Sequence, residues 1–125
     1  MKSDEFVRRL KEHLYEATVK AVTRGLVEAP GRRPGPLRAR MSEFYNSLDA
    51  EGRQLLESIV RDSVHAGIFQ FLCVLDGVCF IESEPTRGRF DLYYVKDADK
   101  TLLNNVSCEL LHDVFNAEDS ASHAA

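Results

Sequence analysis

The chain has 125 residues, 44% hydrophobic and 29% charged, which excludes a fibrous repeat and wholesale disorder. Sixteen Lys and Arg against twenty Asp and Glu leave −4, a balance that argues against a general nucleic-acid binder. Surface scaling at 14.1 kDa gives about 6,700 Å² folded against about 20,000 Å² unfolded, enough burial for a core without disulfides or a structural metal.

The first predicted element is a helix from Ser3 to about Val27, with Ser3 as N-cap and Asp4 and Glu5 in the first turn. Phe6, Val7, Leu10, Leu14, Ala17, Ala21 and Val22 form its apolar stripe. Residues 28–36 hold three prolines and two glycines and read as a basic linker. Pro36 suits the first position of a second helix, Leu37 to Ser47, whose stripe is Leu37, Met41, Phe44 and Tyr45, with Leu48 just beyond. Asp49 caps a long third helix from Ala50 towards Asp76. Its first half sets Leu55, Leu56, Ile59, Val60 and Val64 against Glu51, Arg53, Glu57 and Arg61. Its second half, Ile68–Leu75, is apolar nearly all round, the pattern of a buried centre or an oligomer interface.

After Asp76-Gly77 the period changes to two. Strands are expected at Val78–Glu82, Arg89–Val95 and Thr101–Asn104, with a five-residue loop at Lys96–Lys100. Ser107 then caps a last helix ending near Asn116, and residues 117–125 read as a disordered tail. The fold class is α+β: N-terminal helices and one long central helix packed on a three-stranded antiparallel meander, with a short C-terminal helix. The domain reading is an N-terminal helix (1–27), a linker (28–36), an α+β domain (37–116) and the tail.

No apolar segment follows the N-terminal Met1-Lys2-Ser3, so no secretory signal is expected. The apolar run at 68–75 is shorter than a membrane span. Three cysteines, an odd number, read as reduced thiols in a cytoplasmic protein. Cys73, Cys79, Cys108 and His112 are the candidate metal or nucleophile set. Their spacing departs from zinc knuckles, and buried structural thiols are the simpler reading. No nucleophile elbow, phosphate loop or metalloprotease helix occurs, so no enzyme activity, cofactor or metal is expected. Asp76 stands at a helix C-terminus, where a carboxylate is disfavoured. It reads either as a contact to a basic partner or as the hydrogen bond fixing the Asp76-Gly77 turn, with Gly77 left-handed.

Charge is uneven. Residues 1–40 carry +5 and residues 41–125 carry −9. The sheet region supplies Glu82, Glu84, Asp91, Asp97 and Asp99, with Tyr93 on the face opposite Phe90, Leu92 and Tyr94. These six are the expected partner-binding residues, since aromatic and charged groups together are common at interfaces.

Phe44-Tyr45 with Leu48, Arg53 with Leu55-Leu56 and Ile59-Val60, Ile68-Phe69 through Asp76-Gly77, Phe90 through Val95, and Leu111 through Asn116 resemble a group of small, mostly uncharacterised bacterial proteins. Some of these look like immunity partners of polymorphic toxins. The resemblance covers residues 43–116 and rests on core and turn positions, so it implies a fold and transfers no site residue. The function expected is a small acidic protein-binding module that masks a basic protein partner such as a toxin. The alternative is a homodimeric regulatory or assembly domain joined through Ile68–Leu75. Neither nucleic acid nor membrane is expected as a partner.

Overall fold

The computed structural model describes residues 1–123, with side chains to Ala117. The elements are α1 (Ser3–Leu10), a π-helical segment (Lys11–Tyr15), α2 (Glu16–Val27), α3 (Pro36–Ser47), α4 (Ala50–Leu75), β1 (Tyr93–Lys96), β2 (Asp99–Leu102) and α5 (Leu111–His123). The class is α+β, and the chain divides into two compact units. Met1–His13 with the residues from Ala66 onward form the first, and Leu14–His65 the second.

The three-stranded meander is corrected to a two-stranded antiparallel hairpin. Residues 78–82 form no strand, because their backbone serves a helix end. Gly77 takes φ +77°, and the N–H groups of Val78 and Cys79 donate to the Cys73 carbonyl at 3.0 and 3.2 Å. Amides committed to a helix cap cannot join a ladder. The expected five-residue loop is a two-residue turn, with Lys96 opposite Asp99 and Asp97 at φ 53° supplying the left-handed conformation. The last helix starts at Leu111, not Cys108, because Asp76 and not Ser107 receives its first amides. It continues to His123, past the expected end near Asn116. Residues 124–125 of the expected tail lie outside the described residues.

In the first unit the buried apolar residues are Val7, Leu72, Cys73, Leu103, Leu111, Val114 and Phe115. α1 packs on α5, and Lys11 extends its stem so that Nζ lies 5.6 Å from the Phe115 ring centre.

The second unit buries few apolar side chains: Tyr15, Val19, Leu26 and Tyr45. The buried set on α2 is offset by one residue from the expected stripe. Leu14 and Val22 are exposed at 47% and 40%, while Tyr15 and Val19 are buried. The π segment inserts an extra residue in the turn and advances the inward face by about 100°. On α4 the expected apolar face is split: Leu56, Val60 and Val64 are partly buried, and Leu55 and Ile59 are not. Leu55 and Ile59 are each 60% exposed. Arg53, Glu57 and Arg61 are partly buried and engage the tyrosines. Tyr45 Oη donates to Glu57 Oε1 at 2.6 Å, which raises the phenol above its ordinary pKa. Arg61 donates to Glu16 at 2.9 Å and lies 5.6 Å over the Tyr15 ring. α3 is tied back to α2 by Ser42 and Asn46, which both donate to the Val27 carbonyl.

Ile68–Leu75 is not a buried centre. Within α4 only Leu72 and Cys73 are buried, and Phe71 is 63% exposed. By length and composition α4 is the described helix long and apolar enough to cross a membrane, with a mean hydropathy of 1.2 over the best window.

Candidate binding site

A cleft of about 390 Å³ opens in the first unit between the end of α4, the segment 79–91, the hairpin and residues 104–106. The segment around it carries Phe80, Ile81 and Phe90 at 56%, 71% and 45% exposure, and Val106 at 79%. Four large apolar residues around one concavity form a patch, which single exposed apolar residues do not.

Asn104 holds the cleft's floor. Its Nδ2 donates to the carbonyls of Leu75 and Phe90, both at 2.6 Å, and its Oδ1 accepts the Leu92 N–H at 2.8 Å. Both amide donors and the carbonyl acceptor are therefore used, and the end of α4 is joined to the approach to β1. Beside it, the fully buried Asp76 carboxylate accepts the N–H groups of Leu111 and His112 at 3.2 and 2.9 Å. It also contacts His112 Nδ1 at 2.7 Å. One carboxylate thus ends α4 and starts α5. Gly77 is left-handed as expected, but the carboxylate does not bond the Asp76-Gly77 turn and instead accepts the amides that open α5.

Of the expected partner-binding residues, Glu82, Asp91 and Tyr93 line the cleft, and Glu84, Asp97 and Asp99 do not. Two of the acids are paired locally. Glu84 pairs with Arg87 at 3.1 Å, and Asp91 with Arg89 at 3.1 Å. Arg87 also stacks over Phe80 at 3.8 Å, and Lys100 lies 4.1 Å over Tyr93. Asp97 is spent on the turn, and Asp99 pairs in the ladder opposite Lys96. Tyr93 and Val95 do stand on the open face, at 44% and 63% exposure, with Leu92 and Tyr94 less exposed.

Sequence reasoning missed Phe80, Ile81, Val106, Arg87, Arg89 and Asn104. The signal available was Pro85 and Gly88 within a run of charged and hydroxyl residues, which favours a broad loop over a strand bearing two inward apolar residues. Burial first, then the neighbouring Cys79, pushes the Cys73 thiol up to about 11. Cys108 is exposed. Among the described residues no three His, Cys, Asp or Glu side chains converge as a metal site.

Comparison with protein-family models, curated proteins and solved structures gives no match to this chain.

Proposed function

We propose that the chain is a small acidic protein-binding module without catalytic activity, and that it receives an apolar anchor of a protein partner in the cleft of the first unit. The observation that carries this reading is the ring of exposed Phe80, Ile81, Phe90 and Val106 around a concavity floored by the fully bonded Asn104. Buried aromatic anchors in well-formed pockets dominate protein recognition, with charged groups at the rim. The first unit holds thirteen acidic and eight basic residues, a net −5, which favours encounter with a basic partner. An immunity-type role, in which the masked partner is a toxin, is the specific form of this reading that the sequence resemblance implies.

The test is retention of a protein from a lysate of the source organism on the tagged full chain, compared with a Phe80→Ser/Phe90→Ser chain. A single basic protein is expected on the wild type, weakened by salt and lost from the variant. Equal retention by both would remove the cleft from the reading.

A second reading, the homodimeric regulatory or assembly domain, is favoured by a different observation, the exposure of Leu55, Ile59 and Phe71 on α4.

A further inference from the structure

The left-handed turn at Gly77 folds the chain back on the last turn of α4. The Cys79 N–H donates to the Cys73 carbonyl at 3.2 Å. Such a bond holds two Cα atoms roughly 5–6 Å apart, within the range of about 4.4–6.8 Å that a disulfide spans. The side chains come together as the backbones do. Cys79 Sγ donates to Gln70 Oε1 at 3.4 Å, and Gln70 lies three residues before Cys73, on the same side of α4. The Cys79 side chain is also a hydrogen-bonding neighbour of the Cys73 thiol. All three residues belong to the first unit.

The two thiols differ in what they can do. Cys73 is 4% exposed, and burial keeps its proton on. A buried, protonated thiol is a poor first nucleophile, since the thiolate is the reactive form. Cys79 is half-buried and lines the cleft, where a small oxidant has access. An accessible thiol next to a second, buried one is the arrangement of an attacking and a resolving cysteine. Five intervening residues in a flexible chain would leave such a pair loose, whereas the cap at the end of α4 fixes it.

We propose that Cys73 and Cys79 are a modification site, at which hydrogen peroxide forms an intramolecular disulfide that ties the end of α4 to the first residue of the cleft's 79–91 segment. The Cys79 sulfur, as thiolate, attacks one peroxide oxygen. The O–O bond breaks, and the departing hydroxide takes up the proton that Cys79 released, leaving one water and a sulfenic acid on Cys79. The Cys73 sulfur then attacks the Cys79 sulfur. The S–S bond forms, the S–O bond breaks, and the second hydroxide leaves as water with the Cys73 proton. Two thiols lose two electrons and two protons, and one peroxide becomes two waters. The site does not depend on what the cleft binds.

The test is intact-mass measurement and peptide mapping of the full, folded chain after treatment with a slight excess of hydrogen peroxide, with circular dichroism to monitor folding. The wild type and Cys108→Ser are each expected to lose two hydrogens, in a single Cys73–Cys79 link that dithiothreitol reverses. Cys73→Ala should stop at a sulfenic acid on Cys79, captured by dimedone, whereas Cys79→Ser should leave Cys73 a thiol. In a glutathione redox buffer, the link should be favoured at least about tenfold more in the folded chain than in urea, because the fold and not the spacing brings the sulfurs together. By the same linkage the oxidised chain should unfold at a higher urea concentration than the reduced chain. A wild type that keeps both thiols, a link that maps to Cys108 or joins two chains, or a link no more favoured in the folded chain than in urea would overturn the proposal.

Discussion

Replacing Asp76 with alanine tests how the first unit is held together. The carboxylate accepts two backbone amides at the start of α5 and contacts His112 Nδ1 at 2.7 Å, with no solvent exposure of its side chain. Loss of the helix cap costs about 1 kcal/mol. Loss of the charge-assisted bond to His112, made by a carboxylate with no solvent exposure, costs roughly 1.5–3 kcal/mol. Against this, removing an anion from the C-terminal end of α4 returns about 0.3–1 kcal/mol. The expected net loss is about 2–4 kcal/mol, a large part of the roughly 5–15 kcal/mol that keeps a domain folded. With urea slopes of about 1–3 kcal/mol per molar, the unfolding midpoint should fall by roughly 1–2 M. Asp76→Asn keeps one acceptor oxygen and should cost about half as much. Hydrogen exchange should show the Leu111 and His112 amides losing protection first. A loss below about 1 kcal/mol for Asp76→Ala, with those two amides still protected, would refute the role given to this carboxylate.

Asn104→Ala removes three short hydrogen bonds and strands two carbonyls and an amide, so urea unfolding should show a loss of about 3 kcal/mol. Asn104→Asp places a carboxylate against the same two carbonyls and should be at least as damaging in that assay. The Cys73 thiol ionises near 9.0 when unfolded and at about 11 when folded. The unfolded chain therefore releases its proton first, and the folded chain loses stability as pH rises from about 9 to 11, by roughly 2 kcal/mol. Thermal melts across that range should fall more steeply for the wild type than for Cys73→Ala. Arg61 and Glu16 are about 40% exposed in their 2.9 Å pair, so a double-mutant cycle should return a coupling under about 1 kcal/mol.

Local signals in the sequence were followed where they acted through covalent or near-neighbour chemistry. Pro36 opens α3, and Asp49 accepts the Gly52 amide at 2.8 Å at the start of α4. Gly77 takes the left-handed turn, and the period change after it marks the passage from helix to non-helix. The inward faces of the second unit were not legible. Periodicity gives a helix its apolar side but not the direction in which that side turns. A single π segment displaced the face of α2 by one residue, and the tyrosine–arginine contacts placed Arg53 and Arg61 on the part-buried side of α4 with Leu56, Val60 and Val64. Asn104 left no trace either, because its three partners lie twelve or more residues away.

The alternation at residues 78–82 is the instructive failure. Val78, Phe80 and Glu82 alternate with Cys79 and Ile81 as a half-buried strand would, but Phe80 and Ile81 are both more than half exposed. Burial on one face cannot explain two neighbours that both remain outside, and hairpin pairing cannot, since the preceding amides are committed to the end of α4. The same holds for Leu55 and Ile59, which carry the helical period yet face away from their own unit. Apolar residues placed with a regular period and then left uncovered conflict with the rule that local pattern and global fold agree, and such conflicts concentrate where a surface is shaped for contact. The two conflicts fall at separate places, the cleft of the first unit and Leu55 and Ile59 of the second, so each can be removed by substitution without disturbing the other.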